Sequence, residues 1–283
     1  MQLVSTLQFI VNHPLNRKNP LAALRRYANW QLSSRLHDEI EFKWIDDAVL
    51  AVKHGMTGAT GNIYCGLHEF VEMAFLLHLL RPDDLFLDIG ANIGSYTVLA
   101  SKVCGSRSLA FEPDPMTAKT LRRNVELNAL ENLVTVNQVA LGAKTGEVAF
   151  TAGLDTVNRV ATLDDRNVQT VPIKRLEDIS GTIGATFAKL DVEGFEEQVL
   201  LGATKVLSSP SLLAVQSETC DASVNRILSS FGFERMYYEP YTREISDKPF
   251  SHRILNGLFA RNAQDVVQRV MRAPRRKIFE NLI

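Results

Sequence analysis

Leu85-Phe86-Leu87-Asp88-Ile89-Gly90-Ala91-Asn92-Ile93-Gly94-Ser95-Tyr96-Thr97 reads as a strand, a tight turn and the start of a helix. The apolar run Leu85 to Leu87 closes on Asp88. Gly90 and Gly94 make the turn, and Tyr96 to Val103 is able to continue as a helix. Twenty-four residues beyond Asp88, Glu112 closes a second apolar run, Leu109-Ala110-Phe111. An acid ending the second strand of a βαβ unit is placed to accept hydrogen bonds from ribose hydroxyls. The stretch therefore predicts a pocket for an adenosine-bearing ligand.

The spacing discriminates between ligands. A nicotinamide dinucleotide needs Gly-x-Gly-x-x-Gly, so that the pyrophosphate can approach backbone at a helix N-terminus. Here Asn92 stands in place of the middle glycine, and no lysine follows Gly94 as it would in a P-loop. Asp88, at the start of the turn, would repel a pyrophosphate but suits a cationic ligand. S-adenosylmethionine carries a sulfonium, an ammonium and no phosphate. The competing readings are a nicotinamide-dependent oxidoreductase, disfavoured by Asn92, and a non-catalytic module that keeps the fold. Intact Asp88, Gly90, Gly94 and Glu112 argue against a dead pocket.

The chain has 283 residues and 46% hydrophobic content, enough for one α/β core with additions at its ends. A formal net charge of −1 gives no global footprint for nucleic acid. Cys65, Cys104 and Cys220 are far apart and odd in number, without zinc-ligand spacing, so reduced cysteines in a cytoplasmic protein are expected. The longest apolar run, Met73 to Leu80, is interrupted by His78 and falls well short of the ~18 residues of a membrane span. No basic residue precedes the first apolar stretch, so no secretory signal is expected.

Outward from the glycine turn, strands alternate with helices. Helical spacing recurs at Leu3, Leu7 and Ile10, and again at Leu21, Leu24, Ala28 and Leu32, with a turn from His13 to Pro20. Trp44 to Val52 reads as a strand or bend, and Gly55, Gly58 and Gly61 as a flexible turn cluster. His68 to Leu80 reads as an amphipathic helix, and Thr117 to Asn128 as the helix after Glu112. Further strands are expected at 134–141, 147–151, 169–173, 186–190, 212–216, 234–238 and 256–260, with helices at 195–207 and 223–231. This alternation predicts a doubly wound α/β sheet of Rossmann-like type.

Three segments occur in order: Leu87-Asp88-Ile89-Gly90-Ala91-Asn92-Ile93-Gly94, Phe111-Glu112-Pro113-Asp114-Pro115, and Lys189-Leu190-Asp191-Val192-Glu193-Gly194-Phe195-Glu196 followed by Leu200-Leu201-Gly202. Together they resemble the FkbM-type S-adenosylmethionine-dependent methyltransferases over residues 61 to 262. The resemblance implies a mostly parallel seven-stranded sheet with a reversed last hairpin. It also implies S-adenosyl-L-methionine as cofactor and a hydroxyl on a glycan or secondary metabolite as acceptor. Residues 1–60 form a helical extension outside it, and 263–283 a basic helix or tail. No nucleic-acid partner is expected, and a homo-oligomer is left open.

In the cofactor site, Asp88 is expected to reach the methionine ammonium. Gly90, Ala91 and Gly94 would bring backbone close, and Asn92 would do the same or bind the carboxylate end. Glu112 would hold the ribose, flanked by Pro113 and Asp114, with Gln138 and Val139 at the adenine edge. Asp191 ends a core strand and is the first candidate base for a hydroxyl proton. Glu193 and His68 are the others, Glu193 having a cap for the following helix as its alternative. Glu218 could add a third carboxylate, but no metal is expected. Asp155-Thr156-Val157-Asn158-Arg159 lies in a loop long enough to act as a lid. The basic tail, Arg261, Arg269, Arg272, Arg275, Arg276 and Lys277, reads as a solvated helix or a contact for an anionic partner.

Overall fold

The two N-terminal helices form where the spacing puts them, but they turn a different face to the core. In the computed structural model, which describes residues 2–153, 158–162, 164–250 and 256–283, they are α1 (Gln2–Asn12) and α2 (Pro20–Leu36). Asn19 caps α2 by accepting from the Ala22 N–H at 3.1 Å, and Pro20 sits at its first position, where the missing N–H costs nothing. The buried residues of this pair are Ile10, Ala23, Trp30 and Ser34, whereas Leu3, Leu21 and Leu32 face outward. Trp30 decides the rotation, because its ring fills the cluster built around Ile63 and Tyr64.

The hairpin β1 (Ile40–Lys43) and β2 (Val49–Val52) follows. The glycines expected as a flexible cluster lie in or beside a helix, α3 (Thr57–Cys65), because Ala59, Ile63 and Cys65 bury in the same cluster as Trp30. Tertiary packing here overrides the low helix propensity of glycine. Helix α4 (Phe70–Leu79) is buried on every side rather than amphipathic. It lies between the sheet and the C-terminal segment, so an apolar stripe on one face does not describe it.

The glycine turn joins β3 (Leu85–Ile89) to α5 (Ser95–Val98), which widens into a π-turn over Leu99–Val103. Then come β4 (Arg107–Phe111) and α6 (Pro115–Leu127), capped by the Asp114 carboxylate on the Thr117 N–H at 2.8 Å. The strand expected at 134–141 breaks into β5 (Val134–Asn137) and β6 (Ala140–Leu141), which join different sheets. β6 pairs with β8 (Val168–Lys174), itself paired antiparallel with β7 (Gly146–Thr151). After β9 (Phe187–Leu190), the helix expected at 195–207 is interrupted at Gly202 into α7 (Glu196–Leu201) and α8 (Thr204–Ser208). A side chain at Gly202 would meet the Gly142 carbonyl oxygen at 2.0 Å.

β10 (Ala214–Ser217), α9 (Ala222–Ser230), β11 (Glu234–Glu239), β12 (Glu244–Ser246) and β13 (Gly257–Ala260) complete the main sheet. Its order is β12-β11-β13-β10-β9-β3-β4-β5, with β13 antiparallel to both neighbours. This is the doubly wound sheet with a reversed hairpin. It has eight strands rather than seven, because β12 pairs with the outer edge of β11. The basic tail is not a free solvated helix. Val266 and Val270 of α10 (Ala263–Met271) are buried, as are Ile278 and Ile283 around the hairpin β14 (Lys277–Ile278) and β15 (Asn281–Leu282). Two of its arginines are tied into the fold: Arg269 pairs with Asp84 at 2.7 Å, and Arg276 pairs with Asp46.

Candidate active site

The loops at the carboxyl ends of β3, β4, β9 and β10 surround a cavity of about 310 Å³, where an open α/β sheet binds its ligands. Gly90 explains why the site is tight. Its φ is +75°, and a Cβ there would lie 1.8 Å from the backbone oxygen of Asp191. The turn after β3 and the end of β9 therefore touch through backbone alone. Gly90→Ala combines left-handed strain with a clash that no side chain can relieve. We expect a loss of at least ~2 kcal/mol, read as a melting midpoint lowered by at least about 4 °C. An unchanged midpoint would show that the two loops separate freely.

Glu112 is oriented before any ligand arrives. Its carboxylate accepts from the Asn92 N–H at 3.0 Å and from the Asp114 N–H at 2.9 Å, which leaves acceptor capacity facing the cavity. Burial pushes its pKa up to about 7 against these two hydrogen bonds. The rest of the turn is also internally satisfied. The N–H groups of Gly90 and Ala91 donate to the Phe111 carbonyl, that of Ile93 to the Asn92 side chain and that of Gly94 to the Ala91 carbonyl. Every amide from 90 to 94 thus has a partner, and none is left to cradle a pyrophosphate. The sequence did not show that these five amides are spoken for.

The predicted cofactor residues divide in two. Gly90, Ala91, Asn92, Glu112, Pro113 and Val139 line the cavity. Asp88, Gly94, Asp114 and Gln138 are not among its lining residues. Asp88 is fully buried beneath the turn, accepting from the Thr97 hydroxyl at 2.6 Å. Gly94 backs onto Leu121, and Asp114 is occupied as the cap of α6. Gln138 is exposed and accepts from the Arg122 guanidinium at 3.2 Å.

The three candidate bases, Asp191, Glu193 and His68, all reach the cavity, as does Glu218. Asp191 directly follows β9 and Glu218 directly follows β10. Lys189 points to the same side of β9 as Asp191, and its ammonium lies 2.7 Å from the Asp191 carboxylate. Burial opposes the charge on Asp191, but this ammonium outweighs it and holds the pKa below the ordinary carboxylate value. Glu218 goes the other way. Burial and then the charge of Asp191 push it up to about 8, and one oxygen of each carboxyl lies within 4.8 Å of the other. The pair is therefore one ionised and one protonated acid at neutral pH. Glu193, at φ +52°, stands beside them, and one oxygen from each of the three acids lies within 4.8 Å of the others. It does not cap the next helix. Glu196 accepts from the Val192 and Gly194 N–H groups instead.

His68 has its Nδ1 buried and unpartnered against the backbone of Gly61, where a Cβ would sit 2.2 Å away. Burial lowers its pKa, leaving a neutral imidazole. In the loop expected as a lid, Asn158 lines the cavity and Arg159 pairs with Asp165 at 2.9 Å, while residues 155–157 lie outside the described residues.

Lys189 and Tyr96 were missed as functional candidates, and Glu69 was included only as part of the segment Tyr64 to Glu69 that was expected to shape the acceptor pocket. Asp88, Lys189 and Gln216 lie in register across β3, β9 and β10. The Lys189 ammonium sits 4.8 Å from the centre of the Tyr96 ring, and the Tyr96 hydroxyl donates to Glu69. One signal was available. A lysine inside the apolar strand Phe187–Leu190 requires a buried anionic partner. Nothing local marks Glu69, which arrives from the start of α4.

A doubly wound sheet with the reversed β11–β13 hairpin, a buried carboxylate after β4 and a glycine turn between β3 and α5 make a class I methyltransferase fold, whose cofactor is S-adenosyl-L-methionine. The family description "Methyltransferase FkbM domain" matches residues 88–242, more than half of the chain, and the chain belongs to that family. It is 34% identical over 149 residues to Methyltransferase 1 of Beauveria bassiana, covering 43% of this chain and 59% of that protein. It is 28% identical over 144 residues to the hexuronic acid methyltransferase AglP of Haloferax volcanii, covering 50% of this chain and 59% of that one. The chain thus spans about three fifths of the length of these relatives. The crystal structure of Methyltransferase FkbM from Methylobacillus flagellatus superposes with a TM-score of 0.44 at 16% identity, covering 84% of this chain and 60% of that one.

Proposed function

We propose that this protein methylates a hydroxyl group, on a glycan or a polyhydroxylated secondary metabolite, within residues 61–262, with 1–60 and 263–283 as additions around that unit. The observation that carries the reading is the Lys189–Asp191–Glu218 group at the cavity wall. A hydroxyl is a poor nucleophile until its proton leaves. An ionised Asp191, held so by Lys189, would accept that proton and become neutral as the sulfonium loses its charge with the methyl group, while Glu218 keeps its own proton. When bound, S-adenosyl-L-methionine supplies a methyl carbon activated by its sulfonium. Glu112 would hold the ribose, and Gly90, Ala91 and Asn92 would keep the cofactor against the end of β9. Val139 and Phe111 offer an apolar slot for the adenine. Alignment of the acceptor oxygen with the methyl carbon supplies much of the rate.

The hexuronic acid methyltransferase among the relatives supports a sugar acceptor. The test uses methyl-labelled S-adenosylmethionine with a panel of neutral sugars, uronic-acid oligosaccharides and polyhydroxylated aromatics. The reading expects label incorporated as a methyl ether, stable in alkali. Label released by mild alkali would identify a methyl ester on a carboxylate and overturn the hydroxyl assignment.

A further inference from the structure

We propose that the outward face of α1 and α2 docks on an anionic lipid bilayer surface. Three observations converge there. The first is charge: residues 1–36 contain Arg17, Lys18, Arg25, Arg26 and Arg35 and no Asp or Glu, while the rest of the chain carries a formal net charge of −6. Arg26 turns inward, to Asn16, Tyr64 and the Phe279 ring, whereas the other four cations are exposed and make no ion pair among the described residues.

The second is apolar exposure. Six of the 13 exposed large hydrophobic side chains among the described residues lie in this short segment. On α2, Leu21, Leu32 and Leu36 are 76%, 67% and 78% exposed. With Ala28 they recur at helical spacing, and Arg25 and Arg35 flank them on the same side. α1 packs against α2 and presents Leu3 and Val4, with Phe9 about 120–140° further round the helix against His68. The third is position. The Phe9 ring meets His68, a cavity-wall residue, edge-on at 5.3 Å. One side of α1 therefore reaches the cavity wall, while Leu3 and Val4 lie on another side of the same helix.

The chemistry selects the occupant. A second copy seated on this face would oppose Arg25 and Arg35 to their own like, and neither α1 nor α2 carries an acid to answer them. A polyanion without acyl chains would leave the leucines in water. An anionic bilayer takes both, with aliphatic side chains entering the headgroup boundary and cations pairing with phosphates.

The experiment is flotation of the full chain with phosphatidylcholine vesicles, with and without about one third phosphatidylglycerol. Binding to the anionic vesicles only is expected, weakened by at least about tenfold in Arg25→Glu/Arg35→Glu, since each charge near such a surface contributes on the order of a fivefold change. Leu21→Ser/Leu32→Ser should also lose binding. Both variants change outward side chains, so their melting midpoints should match the wild type, and high salt applied to the unmodified chain provides a variant-free check. Equal partitioning onto neutral and anionic vesicles, no partitioning, or variants that bind as wild type would overturn the proposal. So would sedimentation showing a dimer that the leucine variant dissociates, which would assign the face to a second copy.

Discussion

Asp191→Asn should lower turnover by about 10²–10⁴ while changing S-adenosylhomocysteine affinity much less. The substitution keeps the size of the side chain and removes its charge, so no base remains 2.7 Å from Lys189 to take the acceptor proton. It also leaves a buried ammonium without its nearest counter-ion, which threatens the fold. Thermal melting and calorimetry with S-adenosylhomocysteine must therefore accompany the kinetics. Glu218→Gln is the companion variant. It stays neutral beside Asp191 at every pH, so turnover near neutrality should persist. The inflection near pH 8, where Glu218 loses its proton, should disappear. A folded Asp191→Asn enzyme with near-normal turnover would move the base role to Glu193 or His68. A variant that fails to fold, together with a Glu218→Gln profile identical to wild type, would make the group structural.

Removal of the Glu112 carboxylate is expected to weaken S-adenosylhomocysteine binding at least about tenfold. Two hydrogen bonds to an ionised carboxylate are at stake, each contributing on the order of 1.5–3 kcal/mol. Glu112→Ala also frees the Asn92 and Asp114 N–H groups that the carboxylate now holds, so the turn loses its anchor as well as its ligand contact. The wild-type protein should show a matching pH dependence. With a folded-state pKa near 7, Glu112 must shed a proton to bind ribose at lower pH. Affinity should rise by up to about tenfold per unit as pH climbs towards 7 and level off above it. The stability linkage has the opposite sign. A pKa raised above its unfolded value favours the unliganded fold at acid pH, and that contribution is lost as pH rises through 7. Calorimetry in buffers of different ionisation enthalpy would detect the proton released. Binding that is insensitive to Glu112→Ala and to pH would remove it from the ribose site.

Local pattern determined the αβ alternation, the strand–turn–helix at 85–103, Glu112 at the end of the second strand and Asp191 at the end of β9. Each depends on spacing within one or two elements, and backbone geometry makes such spacing readable. Faces and breaks were not readable in the same way. The outward leucines of α2, the inward Trp30 and the all-round burial of α4 depend on what packs against each helix. The break between β5 and β6 depends on the second sheet that receives β6. The division at Gly202 depends on the close approach of Gly142.

The same boundary runs through the active site. Residue types at strand ends nominated Asp191, Glu193 and Glu218, but only the fold joined Lys189 to Asp191 and set the two carboxyl pKa values apart. Only the fold turned Gln138 outward and buried Asp88 under the turn. Only hydrogen bonds seen in three dimensions showed that the glycine loop has no amide free for a phosphate. Periodicity along the chain records which groups an element presents to its surroundings. Charge state, acceptor access and the partner of a buried lysine are set by residues far apart in the chain, and the tertiary structure alone brings them together.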